Sequence, residues 1–322
     1  MNRILQFALI FAFAAIASAA SAQTFPTKPV RITAPYSPGA APATFTRVVA
    51  DKLAKSWGQP VVVEAKPGAS GFIAIETVKN AAADGHDLLV VSDAHVAINP
   101  SLYKKLPYDP EKDLVPVAMF YHTPFYIAVA ANGKYPNVAA LINAAKAKPD
   151  AVSYGSSYVG SPSHLGAAEF EAVTGTKMLH VPYKDQSQMY VGIANGDLDW
   201  AFTTLGSALP LMQAGRIKLI AVAAPRRSRA QPDVPTLTES GGPAMQVGSW
   251  LALMAPRGTP PEVVRKINAD VNRVLADPEV VAQLASFGFD GAAGTPEQFA
   301  EEIRADARKY AELVRRTGAT AD

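Results

Sequence analysis

Ala151-Val152-Ser153-Tyr154-Gly155-Ser156-Ser157-Tyr158-Val159-Gly160-Ser161-Pro162-Ser163-His164, running on into Leu165–Val173, is the most informative stretch of this chain. A short β-type run ends at Tyr154, a Gly/Ser loop follows, and a helix-like segment begins at Leu165. A loop of this make at the start of a helix presents free backbone N–H groups, hydroxyls and the positive end of the helix dipole, which together suit an anion. Pro35-Tyr36-Ser37-Pro38-Gly39-Ala40-Ala41 is a second loop of the same make, placed after the first strand. Either loop alone reads as a tight strand-to-helix turn. Two of them in different halves of the chain suggest a small anion gripped between two lobes.

Outward from these loops, strand and helix signals alternate. Strands are expected at 30–34, 61–64, 88–92, 125–129, 152–154, 178–182, 199–203 and 219–223, and helices at 45–57, 73–82, 138–147, 165–173, 189–195 and 207–214. Such alternation implies an α/β fold of parallel βαβ units with helices on both faces. The last third differs. Thr259-Pro260-Pro261-Glu262, Asp277-Pro278 and Thr295-Pro296-Glu297-Gln298 are three helix starts, the first with Thr259 as N-cap. Pro225 to Pro235 is the most linker-like stretch and the expected return crossing between lobes.

Arg3, the apolar run Ile4–Ala17 and Ala20-Ser21-Ala22 before Gln23 read as an export signal cleaved after Ala22. That run falls short of the roughly 20 residues a spanning helix needs. The chain has no cysteine, so there is no disulfide framework, lipid-anchored Cys or thiol chemistry. About 300 residues remain, enough for two lobes. A net charge of +2, with dispersed Lys and Arg, argues against nucleic acid or a membrane surface as partner. The five histidines are scattered, with no His-x-x-x-His pair, and both nucleotide-binding glycine motifs are absent, so no metal or cofactor is expected.

Further motifs lie in order along nearly all of the mature chain. They include Phe25-Pro26-Thr27-Lys28-Pro29-Val30-Arg31, Gly58-Gln59-Pro60-Val61-Val62-Val63-Glu64, Lys66-Pro67-Gly68-Ala69, Ala97-Ile98-Asn99-Pro100 and Lys105-Leu106-Pro107-Tyr108-Asp109-Pro110. His180-Val181-Pro182-Tyr183-Lys184, Asp233-Val234-Pro235-Thr236, Ala255-Pro256-Arg257-Gly258-Thr259-Pro260-Pro261 and Gly294-Thr295-Pro296-Glu297 follow. With Pro38-Gly39 and Tyr154-Gly155-Ser156, they make the chain resemble solute-binding receptors of the tripartite tricarboxylate transporter type, the Bordetella uptake gene family.

The resemblance implies a two-lobed periplasmic-binding-protein fold, type II-like, with two interdomain crossings and a central ligand cleft. Lobe 1 would take 23–124 and 248–322, and lobe 2 125–247. The implied function is capture of a small carboxylate in the periplasm by a monomer that hands it to membrane permease subunits. One carboxylate would be held between the first loop (Tyr36, Ser37, Pro38, Gly39, Ala40) and the Gly/Ser loop (Ser156, Ser157, Ser161, His164), with Ser70, Ser92 and Tyr183 nearby.

Departures from the family pattern sharpen this expectation. Ala40 stands where a second Gly is common, and Ala43 and Thr203 stand where acids are common. An acid there would suit an amino group and repel a second carboxylate, at a cost of several kcal/mol (order of magnitude) in a low-dielectric cleft. Their loss argues against an amino-acid ligand and is compatible with a dicarboxylate, including an aromatic one such as terephthalate or phthalate. His95 replaces a small hydroxyl residue and Phe72 an Asn. An imidazole could donate to a second carboxylate, and Phe72 with Tyr36 could sandwich a flat ring. Alternatively, His95 bonds a backbone carbonyl and Phe72 packs under a loop. Two other functions compete: an exported hydrolase using Ser157 or His164, and a sensory binding protein with the same lobes. The Gly-x-Ser-x-Gly elbow is absent and no acid lies at a suggestive spacing, so loop serines as donors are the preferred reading, not an enzyme.

Overall fold

The computed structural model describes residues 25–183 and 186–321. The export segment read at residues 1–22 lies outside them, as do Lys184 and Asp185. Among the described residues no helix is long and apolar enough to cross a membrane.

The chain opens with β1 (Val30–Ala34), α1 (Ala41–Trp57), β2 (Val61–Ala65), α2 (Phe72–Lys79) and β3 (Asp87–Ser92). β1 lies between β2 and β3 and is parallel to both. Leu88–Val91 are completely buried, as the continuous apolar run predicts for a central strand covered on both faces. After three short helical segments, β4 (Leu114–Pro124) leads out of this sheet, and β5 (Tyr126–Ala130) begins a second one.

The second sheet continues through α3 (Val138–Ala147), β6 (Ser153–Ser156), α4 (Pro162–Thr174) and β7 (Leu179–Pro182). It ends with α5 (Gln186–Asn195), β8 (Trp200–Thr203), α6 (Leu205–Gln213) and β9 (Ile217–Val222). Its order is β7-β6-β8-β5-β9. The chain then returns as β10 (Gly248–Pro256), α7 (Pro261–Leu275), α8 (Pro278–Phe287), the two-residue β11 (Asp290–Gly291) and α9 (Pro296–Thr317). The first sheet is completed in the order β11-β4-β10-β3-β1-β2. This is the α/β two-lobed arrangement, with an apolar cluster on each face of each sheet.

The sheets are mixed, which corrects the all-parallel expectation. β10 is antiparallel to both β3 and β4, and β5 is antiparallel to β8 and β9. The reason is topological: a strand that leaves a sheet for the other lobe and one that returns beside it run in opposite directions. The crossings lie side by side. Phe125 N–H donates to Val247 O (2.9 Å), Val247 N–H to Ala223 O (3.0 Å) and Ala223 N–H to Phe125 O (2.8 Å). The return therefore occurs near Val247, beyond the Pro225–Pro235 stretch expected to make it. That stretch is an excursion ending on β9, where Leu237 N–H donates to Val222 O (3.0 Å).

The three C-terminal helix starts stand where the sequence puts them. Asp277 caps α8, and Thr295 with Gln298 forms a complete capping box on α9. The cap of α7 is Pro260, while the Thr259 hydroxyl donates instead to Pro256 O (2.8 Å). α9 straps the lobes together: Tyr310, Leu313 and Val314 pack with Ile98 and Leu102 of one lobe and Leu165 of the other. Lys309 pairs with Glu169 on α4 at 2.8 Å.

Asp93 is the buried polar node of this joint. It follows β3, is fully inaccessible, and accepts from Ser249 Oγ (2.5 Å) at the start of β10 and from Tyr310 Oη (3.0 Å) on α9. Burial pushes its carboxyl up to about 7; Asp306 acts the same way, and the Ser249 and Tyr310 bonds oppose the rise. The folded state thus holds a proton that the unfolded chain, near 3.8, releases. Stability from this group falls as pH rises from about 4 through 7. Asp93→Asn mimics the protonated form. Its melting temperature relative to wild type is expected to rise between pH 5 and pH 8, read by circular dichroism; a difference constant with pH would refute the assignment.

Candidate functional site

The first loop leaves β1 at Pro35 and closes on itself through Ala40 N–H to Ser37 O (3.1 Å). Ser37, Pro38 and Gly39 are exposed, and Gly39 has φ +92°, a conformation that glycine adopts without penalty. The helix behind the loop begins at Ala41, four residues earlier than the sequence suggests. Its N-cap is Ala40, so no side chain caps it, and no acid stands in its first turn. An uncapped helix start of this kind is an anion-binding element.

The second loop belongs to the other lobe. Ser157 is half-buried, and its hydroxyl has no partner among the described residues. Tyr158 is half exposed and within electrostatic reach of Asp93 and Tyr103 across the joint. Burial pushes the Tyr36 phenol well up; Asp93 and Tyr158 add to this, and a hydrogen bond with Ser92 works against it. Tyr36 of the first loop is thus within electrostatic reach of Tyr158 of the second. The lobes also touch on both flanks: a Cβ on Gly160 would lie 2.4 Å from Leu102 Cδ1, and one on Gly288 2.7 Å from Leu205 Cδ2.

His95 is buried at the base of the lobe 1 wall. Its Nδ1 accepts from Ser92 N–H (3.0 Å) and lies 3.0 Å from Ser92 Oγ, so the ring is neutral with its proton on Nε2. Burial lowers its pKa to about 4. The Nε2 edge lies over Gly71, where a Cβ would stand 2.6 Å away, and Tyr36 meets the ring edge-on at 5.8 Å. The alternative of a bond to a backbone carbonyl is not what forms: the Nδ1 bond goes to an N–H. Ser70 is exposed and shares a hydrogen bond of 2.6 Å with Tyr103 Oη.

Four expected ligand contacts are placed elsewhere. Phe72 packs edge-on against Tyr103 (5.0 Å) and Tyr108 (5.8 Å), so the sandwich with Tyr36 does not form. Tyr183 folds back over Gly192 in the lobe 2 core. The Thr203 hydroxyl is bonded to Tyr190 Oη and to Thr204 O within its own lobe. Ala43 is buried in the first turn of α1.

Three more work as scaffold for the Gly/Ser loop. Ser156 is fully buried and bonded to Tyr158 O (3.1 Å) and His180 Nε2 (2.7 Å). Ser161 caps α4 by accepting from His164 N–H (3.2 Å). His164 Nδ1 accepts from Gly160 N–H (3.0 Å). Among the described residues no serine hydroxyl bonds the His164 ring; the Ser157 hydroxyl named in the hydrolase alternative lies apart from it. Two features went unread in the sequence: Asp93, and the start of α6, where Thr204 makes no side-chain cap. The lone acid in the apolar run Leu88–Ile98 was the available signal for the first.

A family model for the "Tripartite tricarboxylate transporter family receptor" matches residues 45–319. Protein BugT of Bordetella pertussis is 34% identical over 321 residues, covering 99% of this chain and 98% of that one. A Rhodopseudomonas palustris structure with adipate shares 29% identity at a TM-score of 0.79, over 92% of this chain and 99% of its own. MatC from the same organism, with bound malate, shares 28% at a TM-score of 0.73, over 90% and 100%.

The cap geometry separates two serines. Ser161→Ala removes a side-chain cap and is expected to cost about 1 kcal/mol of folding stability, measured by urea denaturation. Unchanged stability would mean that the hydroxyl is not the cap of α4.

Proposed function

The chain belongs to the family of tripartite tricarboxylate transporter receptors, and from that premise we propose that it captures a small dicarboxylate between its lobes for a secondary transporter of that type. The observation that carries the reading is the pairing of an uncapped, acid-free helix start on α1 with the free hydroxyl of Ser157 on the opposite lobe. One ligand carboxylate sits between them, and the wall formed by Tyr36, Ser92 and His95 receives the far end. Adipate and malate, named with two related structures, are both dicarboxylates, which supports this ligand class.

The receptor works as a monomer in the periplasm after cleavage behind Ala22, with lobe 2 comprising 125–247, and delivers its ligand to the permease unaltered. Binding acts by population shift. Ligand touches both loops only in the closed form, so its presence favours closure. A thermal-shift screen over mono-, di- and tricarboxylates and amino acids tests the class, since a ligand of the folded state raises the melting point by mass action. Stabilisation by amino acids alone would overturn it.

Two substitutions probe the contacts. Ser157→Val leaves a desolvated carboxylate oxygen without its donor, costing about 1.5–3 kcal/mol. Affinity for the dicarboxylate found in the screen should fall at least tenfold with the melting point of the free protein unchanged; an unaltered Kd removes Ser157 from the site.

Ala43→Asp puts a charge into the first turn of α1, where it competes with ligand for the same N–H groups and dipole. Calorimetric titration should show dicarboxylate affinity falling roughly tenfold, on the order of 1–3 kcal/mol of repulsion. An unaltered affinity would remove the start of α1 from the site.

A further inference from the structure

Beneath the loop Ser157–Val159 two imidazoles lie face to face. His164 on α4 and His180 on β7 stack with centroids 4.0 Å apart and planes 14° from parallel, and Tyr154 on β6 covers the other side of His180 at 5.0 Å. Each ring holds one end of the loop. Gly160 N–H donates to His164 Nδ1 at 3.0 Å. At the other end the Ser156 hydroxyl donates to Tyr158 O (3.1 Å) and lies 2.7 Å from His180 Nε2. A hydroxyl has one hydrogen, so Ser156 accepts from His180 Nε2–H. The tautomers follow: His164 is bare at Nδ1 and His180 is protonated at Nε2.

We propose that His164 and His180 are positioning residues, a neutral clamp that holds the Gly/Ser loop in its donor geometry and makes ligand capture fail on acidification. The ligand part of this rests on the dicarboxylate reading above. A proton on His164 Nδ1 would meet the Gly160 N–H head-on, turning an acceptor into a second donor. Two charged rings 4.0 Å apart would also repel. The titratable groups on the surrounding elements are Tyr154 on β6, Glu169 and Glu171 on α4, Lys309 on α9 and Asp93 below Tyr158. Glu169 pairs with Lys309, Glu171 accepts from Met178 N–H, and Asp93 is held by Ser249 and Tyr310. Among the described residues none of these groups bonds either imidazole, so no carboxylate there pairs with a charged ring.

Burial lowers both rings to about 4, with the neighbouring His180 adding to the effect on His164. A loop that has let go would return His164 toward its ordinary 6.5. Between those values the released loop binds more protons than the held one. Each unit of acidification therefore shifts the balance toward release by up to tenfold. Above about 6.5 the clamp is complete, and it weakens as pH falls through 4.

His164→Phe keeps a flat ring in the stack but removes both the acceptor and the titrating group. Two measurements test the clamp at pH 7.5 and 4.5. The first is hydrogen-exchange protection of the Gly160 amide without ligand, corrected for the intrinsic rate. It should drop at least tenfold on acidification in wild type and be low at both pH values in the variant. The second is calorimetric affinity for adipate, taken as the ratio between the two pH values. Wild type should lose at least tenfold more than the variant, and this comparison cancels titration of adipate and of Asp93. Wild-type protection constant with pH overturns the clamp, as does an equal affinity ratio in both proteins. Protection that responds while adipate fails to bind at either pH leaves the loop clamp standing and excludes adipate as the ligand.

Discussion

The two chain crossings lie side by side, joined by backbone bonds among Phe125, Val247 and Ala223, and the rest of the molecule is arranged around that joint. Because both segments cross at one place, the lobes can differ mainly by rotation about it. The same joint explains why β10 runs against its neighbours and why the loops after β1 and β6 come within electrostatic reach of each other. α9 reinforces it from outside, burying Tyr310, Leu313 and Val314 against both lobes.

On the proposed reading, a cleft that holds a carboxylate must offer donors and withhold acids, because a desolvated anion without partners is costly. The walls do both. The start of α1 has neither a capping side chain nor a first-turn acid, and the Ser157 hydroxyl has no partner among the described residues. The three imidazoles around the loops, His95, His164 and His180, are all kept neutral by burial and by hydrogen bonds that specify their tautomers. They shape the walls as uncharged donors and acceptors. The nearest buried carboxyl, Asp93, is partly neutralised by its own burial and stands behind Ser249 and Tyr310.

Much of the interlobe contact depends on missing side chains. Gly160 lies against Leu102 and Gly288 against Leu205, each so close that a Cβ would overlap its neighbour. Both glycines also have positive φ, so the turn and the contact ask for the same residue.

Local signals were legible from residues alone. The starts of α8 and α9, the span Val138–Ala147, the central apolar strand at Leu88–Val91 and the two Gly/Ser loops all follow from caps, prolines and periodicity within a few residues. Family motifs extended this to the two-lobed fold. What the sequence left open was direction in space. Phe72, Thr203 and Ala43 read as cleft residues because they depart from the family pattern, and Tyr183 because the resemblance puts it near the loops, yet their side chains turn to Tyr103, Tyr190, the buried first turn of α1 and Gly192. His164 and His180, sixteen positions apart, carry no mark of their stacking until α4 and β7 pack. Spacing along a chain determines which elements form and where they start, because those depend on neighbours a few bonds away. Which face meets ligand, and which rings share a proton network, depend on contacts between distant segments, and only tertiary packing creates those.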